Sequence, residues 1–483
     1  LINNRPVNFS YLPATNNNLL KKTAKKWYDF IPHPVVMLFG IIVLAALMSY
    51  FLPAGSFDRE LIDGRSRVIP GTFTTMEQTP IGFLDVFRAF STGFKEASDI
   101  IFLVLMSGVM FGILEKSRMI ENVVGTLVKS LGLQRKYFIV TLITFVYGLL
   151  GVAVGYENMI ALIPIAAVVS LALGGDLVLA AGMSVGAVTV GFGLSPINPY
   201  TVGIGHQIAE MQMFSGAGLR SLLCFGGLSA LAWYNIRYFK RIDEDPSSSL
   251  GLGLRVEGFQ LSQAIDKYSV TANNWLILSI FVGGLGVMLY GIFQYGWSLR
   301  EITSIFILVA IVAGVASRIG SSAFSNTALQ SIALVAPGAF MIGYARTISV
   351  LLEQGNINDT IAYQLSEWLQ LFPTYAAAVL MSVAQSGINL FIPSGSGQAL
   401  ATLPIMIPVG DVLGLTRQTT ILAFQIGDGV TNLFNPTLGG LIAMLSLCRV
   451  PFDRWLRFIF PVTFMILTLA WLFLLFSVGI GWS

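Results

Sequence analysis

Residues Gln425–Gly440 read QIGDGVTNLFNPTLGG and sit between two apolar runs, ILAF (Ile421–Phe424) and LIAMLSL (Leu441–Leu447). Together the pieces are long enough to cross a bilayer, yet the middle holds one Asp, two Asn, two Thr, four Gly and a Pro. Hydrocarbon offers no partner to a free backbone N–H or C=O. Non-helical chain at membrane depth therefore survives only when buried in protein or beside a watery cavity. The stretch reads as a helix broken in mid-membrane, with its opened backbone turned toward a ligand.

Composition sets the class. The 483 residues are 55% hydrophobic and 11% charged, with mean hydropathy +0.75. Soluble domains carry about 25% charged residues, so the fold class is an all-α polytopic membrane protein surrounded by membrane lipid. A formal net charge of +3 is too small to argue for nucleic acid. The two cysteines, Cys224 and Cys448, lie in separate apolar segments and exclude a disulfide scaffold or a Cys-based zinc site. His33 and His206 are the only histidines, too few for a His-ligand metal centre. No P-loop pattern occurs, so ATP is not the direct driver.

The chain divides into a polar tail (1–33), a first span with an outer loop and interfacial helix (34–98), and a first repeat (99–242). A linker (243–274), connecting spans (275–330), a second repeat (331–457) and a last span (458–483) follow. Lys21, Lys22, Lys25 and Lys26 precede an apolar run of span length without a small-residue cleavage site, so the tail is expected in the cytoplasm.

The repeat is visible as three matches in one order. ILEKSRMIENVVGTL (Ile113–Leu127) aligns with LLEQGNINDTIAYQL (Leu351–Leu365), and NMIALIPI (Asn158–Ile165) with QALATLPI (Gln398–Ile405). GFGLSPINPYTVG (Gly191–Gly203) aligns with GDGVTNLFNPTLGG (Gly427–Gly440) with one insertion. Lys116, Arg118, Lys129, Arg135 and Lys136 fall in 115–136, whereas the matching 353–372 has no Lys or Arg. Basic residues accumulate in cytoplasmic loops, so the matching segments are expected on opposite sides. Two inverted repeats point to a secondary transporter with discontinuous helices meeting near the midplane. Each repeat also carries a polar tip between apolar legs, Tyr156–Asn158 and Pro393–Gln398. The first tip reads equally as a re-entrant hairpin or as two spans with an external turn.

Candidate site residues follow from this frame. Asp428 is a charge within a span, where insertion costs about 2.5–3.5 kcal/mol; it binds the coupling ion, or caps a half-helix beginning near Thr431, or does both. Thr201, Thr431 and Thr437, with freed carbonyls, suit Na⁺, and H⁺ on Asp428 is the other coupling ion. Ser195, Asn198, Asn432 and Asn435 in the breaks, Glu157 and Asn158 in the first tip, and Ser394, Gly395, Ser396 and Gln398 in the second are the expected substrate contacts. Arg346 stands inside a span and reads as an unpaired cation, either meeting a substrate carboxylate or snorkelling to the interface. Ser396 with His206 lacks the third partner a hydrolase requires, and no filter ring supports a channel. The substrate is expected to be a small amino acid or a carboxylate.

The segments Ala423–Gly440, Pro393–Gln418, Gly343–Thr360 and Pro32–Arg59 resemble the YfcC-type branch of the C4-dicarboxylate anaerobic carrier-like family of the ion transporter superfamily, which is related to arginine/ornithine antiporter-like carriers. The resemblance runs from about residue 30 to the end. It implies two repeats, each with a re-entrant hairpin and a broken helix, an elevator-type transport part, a homodimer, and a bacterial inner-membrane location. Substrates it implies are dicarboxylates or basic amino acids. The first tip departs from the family pattern, with Glu157 alone where paired acids are expected.

Overall fold

The computed structural model describes residues 34–62, 65–69, 71–154, 156–259, 262–263, 265–295 and 297–482. The tail expected over 1–33 lies outside them. Helices dominate, and Ser98–Lys116, Leu299–Ala316, Ser321–Gln354 and Phe452–Gly479 are each long and apolar enough to cross a membrane. Two domain boundaries fall inside helices. Ser321–Gln354 spans 330/331, and Phe452–Gly479 spans 457/458 because Pro451 starts it ahead of Arg454 and Arg457. The outer segment, where turn signals pointed to a loop, forms two antiparallel ribbons, Gly55–Ser56 with Thr74–Thr75 and Arg59–Ile62 with Arg65–Val68. Backbone N–H of Phe57 and Nη2 of Arg59 both donate to the Asp359 carboxylate, at 3.0 and 2.7 Å, and fasten this segment to the helix Asn358–Leu369.

Two helical hairpins build the central region. The first runs through Lys136–Val154, a tight turn at Glu157–Leu162, and Ile163–Ala172. Tyr156, Met159 and Ile160 are fully buried. Such burial fits a tip inside the protein body and is unlike an external turn, which runs over the surface. The second hairpin is Thr374–Asn389 and Gly395–Val412.

Beside each hairpin lies a discontinuous helix. The first holds helix from Leu177 to Gly193, with a wider turn at Gly182–Gly186, opens, and resumes at Pro199–Gly203 and Ile204–Ile208. The second runs Arg417–Thr431 and resumes at Gly439–Leu447. Asp176 and Thr416 cap their starts, accepting from the backbone N–H of Leu179 at 2.7 Å and Thr419 at 3.2 Å. The two helices cross where Gly193 meets Gly429. A Cβ on Gly429 would stand 2.5 Å from Gly193 Cα and O, so only glycine permits this approach.

Their directions are fixed by one shared neighbour, the helix Ala217–Glu244. Tyr238, near its end, donates to Asp176 at 2.6 Å, at the start of the first broken helix. Arg220, in its first turn, donates to Gln418 Oε1 at 2.7 Å, at the start of the second. The broken helices therefore begin at opposite ends of Ala217–Glu244 and run antiparallel.

Candidate cation and substrate site

Asp428 is 1% exposed, and neither carboxylate oxygen has a hydrogen-bond partner among the described residues. The helix Arg417–Thr431 continues past it, so the opened chain is only 432–438 and Asp428 occupies the last turn before the break. That placement rules out the capping alternative, because the next half-helix starts at Gly439. A helix C-terminus carries about half a negative charge. A carboxylate added there has no local compensation and favours a cation.

Other buried oxygens share this region. A Cβ on Gly395 would stand 2.7 Å from Thr201 Cγ2 and 3.3 Å from Asp428 Oδ2, so the second tip, the first break and the acid meet at one point. Thr201 Oγ1 and Asn389 Oδ1 are buried without a hydrogen-bond partner among the described residues. Buried polar atoms are normally satisfied; acceptors left open beside a buried carboxylate fit a hard cation held by oxygen ligands.

Asn389, which sequence reasoning missed, organises the second break. Its Nδ2 donates to Asp428 O (2.9 Å), Thr431 Oγ1 (3.0 Å) and Asn432 Oδ1 (2.8 Å), and its carbonyl accepts from Asn435 Nδ2 at 2.8 Å. Asn435 Oδ1 in turn accepts from Thr437 N–H and Oγ1 at 3.0 and 2.7 Å. Thr431 Oγ1 donates back to Gly427 O at 2.5 Å. The available signal was Gln385 and Asn389, spaced one helical turn apart in an apolar leg.

In the first break, Asn198 Oδ1 accepts from the N–H groups of Tyr200 and Thr201, at 2.8 and 3.3 Å, while its Nδ2 donates to Phe192 O at 3.1 Å. Ser195 Oγ donates to Val152 O at 3.3 Å, and Ser195 O accepts from Gln425 Nε2 at 2.7 Å. Gln425 is held by Arg220, whose Nε donates to Gln425 Oε1 at 3.1 Å. Arg220 is 1% exposed and was also missed; its guanidinium lies over Trp482 and donates to Gln418 and Ser215. His206 faces Gln418 and accepts from Phe214 N–H at 2.9 Å, so it serves this network rather than Ser396.

A cavity of about 480 Å³ adjoins the second tip. Ser394, Gly395, Ser396, Asn432, Thr437 and Arg346 line it, together with Tyr156, Tyr200 and Glu96. The helices Gly395–Val412 and Gly439–Leu447 both point their N-termini at it, an arrangement that favours a carboxylate. Arg346 is not the unpaired cation expected: its Nε donates to Glu96 at 2.9 Å, and Glu353 stands 3.8 Å away. Gln398 turns away from the cavity, donating to Gln385 O and Oε1 at 2.9 and 2.7 Å. Ser195, Asn198 and Asn435 are likewise engaged inside the breaks. The side chains of Glu157 and Asn158 lie outside the described residues.

Comparison with known proteins gives the lineage. The chain is 28% identical over 483 residues (90% of this chain, 94% of the relative) to the Escherichia coli protein YfcC, named as a candidate basic amino acid antiporter. It is 26% identical over 503 residues (94% and 98%) to an uncharacterised protein of Haemophilus influenzae. Among solved structures it aligns with the Alcanivorax borkumensis YdaH transporter at 16% identity and TM-score 0.43, covering 93% of this chain and 99% of that one. It also aligns with Neisseria gonorrhoeae MtrF, described within a class of antimetabolite efflux pumps, at 18% identity and TM-score 0.44, covering 94% and 96%. The model of the C4-dicarboxylate anaerobic carrier family matches residues 31–479, and the chain belongs to that family of membrane transporters.

Proposed function

We propose that this protein is an ion-coupled secondary transporter that carries a small amino acid or carboxylate across the bacterial inner membrane by alternating access of the elevator type. The observation that carries the reading is Asp428, a fully buried carboxylate with two open oxygens, beside the second tip that lines the cavity. A cation at Asp428, with Thr201 and Asn389 as further oxygen donors, would neutralise the acid and link ion binding to the tip. The antiparallel course of the broken helices and the basic residues of 115–136 support inverted repeats, the architecture that alternating access uses. The N-terminus, on this reading, lies in the cytoplasm, and a homodimer is the assembly.

Charge in the cavity narrows the substrate. Among the described residues, Glu96 and Arg346 are the charged side chains that line it, and they face each other. That balanced pair, with two helix N-termini for a carboxylate and Glu96 for an ammonium group, suits an amino acid better than a dianion. A second reading, exchange of basic amino acids without cation coupling, is favoured by the acids Glu96 and Asp428 and by the name of the Escherichia coli relative. Counterflow in proteoliposomes tests the carrier reading: saturable exchange supports it and unsaturable flux points to a pore. Dependence of that exchange on a Na⁺ or H⁺ gradient separates the coupled carrier from the exchanger.

A further inference from the structure

The helices Ser98–Lys116 and Ser321–Gln354 pack against each other and against Gly439–Leu447, and the space beside this packed trio differs at its two ends. At Ile342, Arg346 and Gly439 it opens into the cavity of about 480 Å³. At Gly112, Ser331 and Ser446 only about 30 Å³ remains, with Phe259 and Arg449 in the wall. We propose that linker segment Val256–Phe259 is a gate for this narrow end, with Phe259 as the plug and Arg449 as its catch. It must withdraw before substrate leaves on that side. The inference rests on the transport reading.

The packing is that of a fitted plug. Phe259 is only 2% exposed although it belongs to a linker, and connecting segments ordinarily run over the surface. Its ring lies 5.9 Å from that of Phe111, on the helix Ser98–Lys116. On the other side the Arg449 guanidinium, just past Gly439–Leu447, covers the same ring at 4.3 Å. Arg449 Nη1 also donates to the carbonyl of Glu257. Between them Gly258 adopts φ +84, a left-handed conformation that favours glycine, with the movable Glu115 carboxylate beside it.

The segment is anchored at both ends but not built to be rigid. Asp176 Oδ2 accepts from Ser249 Oγ and Gly251 N–H, at 2.5 and 3.2 Å, and so ties the linker to the first broken helix. Glu121 accepts from the N–H of Ser262 at 2.5 Å and from the Tyr268 hydroxyl, which ties it to the helix Met119–Leu131. Between these anchors Leu254–Phe259 is turn and irregular chain with no helix or strand. Its contacts with Arg449 are polar or cation–π and can be exchanged for water, so the apolar contacts to be given up are those of the Phe259 ring and the half-buried Val256.

Thiol reactivity in the narrow end reads the gate directly. Ser331→Cys, in a full chain with Cys224→Ala and Cys448→Ala, is purified into nanodiscs and treated with a membrane-impermeant methanethiosulfonate cation. Phe259→Ala should raise the modification rate at least about tenfold, Arg449→Gln about threefold or more, and Phe259→Trp should leave it low. A Ser298→Cys reporter at the wide end should not respond to any of them. An unchanged Ser331→Cys rate in both Phe259→Ala and Arg449→Gln overturns the gate. Were Phe259→Ala to misfold, both reporters would rise together, and Arg449→Gln alone then decides. Counterflow on the same proteins keeps the two ideas apart. Faster labelling without exchange in any variant removes the carrier reading and leaves the gate; normal exchange with unchanged labelling removes the gate.

Discussion

Replacing Asp428 with Asn removes the charge while keeping the shape, and the structure sets the size of the effect. At an effective dielectric of about 20, a cation about 4 Å from a carboxylate gains about 4 kcal/mol. Reduced for solvation differences, this is about a 100- to 1,000-fold loss of cation affinity. The assay is thermal unfolding of purified protein in detergent, titrated with Na⁺ at constant ionic strength and, separately, with pH. For the unsubstituted protein, a cation at 100 times its Kd adds about 2.7 kcal/mol. With about 2.1 cal/mol/K of unfolding entropy per residue, 483 residues convert this to a rise on the order of 3 °C. In Asp428→Asn the same concentration is at or below the new Kd, and the rise falls below about 0.5 °C. Without cation the variant should melt higher than the parent, because an unpartnered buried charge has been removed. A full cation-dependent rise in Asp428→Asn would refute the assignment, and a lower cation-free melting point would refute the account of its burial.

Gly429→Ala sets a methyl group 2.5 Å from the Gly193 backbone, which cannot yield. The overpacking should cost about 1–3 kcal/mol or more, seen as a lower melting temperature and lost counterflow. Asn389→Ala withdraws the donor shared by Asp428 O, Thr431 and Asn432. It should cost about 1–3 kcal/mol and raise the half-saturating cation concentration, both readable in the same thermal titration. Glu96→Gln breaks an ion pair whose partners are 34% and 39% exposed. Stability should change by no more than about 1 kcal/mol, while the KM for exchange of a zwitterionic amino acid rises several-fold and that of a dicarboxylate does not.

The features legible in the chain are those whose cause is local. Gly, Pro and Asn inside an apolar run break a helix wherever it docks, so both discontinuities were visible at Gly191–Gly203 and Gln425–Gly440. A charge within a span marked Asp428 for the same reason. The extent of the second break was less legible: helix persists through Thr431, because Thr431 Oγ1 bonds to Gly427 O and Asn389 ties down the Asp428 carbonyl. Arg346 read as unpaired because its partner, Glu96, lies 250 residues earlier. Arg220, at the start of an apolar helix, carries a charge signal like that of Asp428, but its role is set by the packing: with Gln425 it joins the two broken helices through Ser195 O.

By itself the sequence determined the class of molecule and the positions of the breaks and tips, since hydropathy and breaker residues are properties of short stretches. Tertiary structure alone decided which oxygen atoms stay open around Asp428, which charges neutralise each other, and which glycines touch. Those outcomes depend on the docking of segments far apart in the chain, where each buried polar group takes whatever partner the packing brings within about 3 Å.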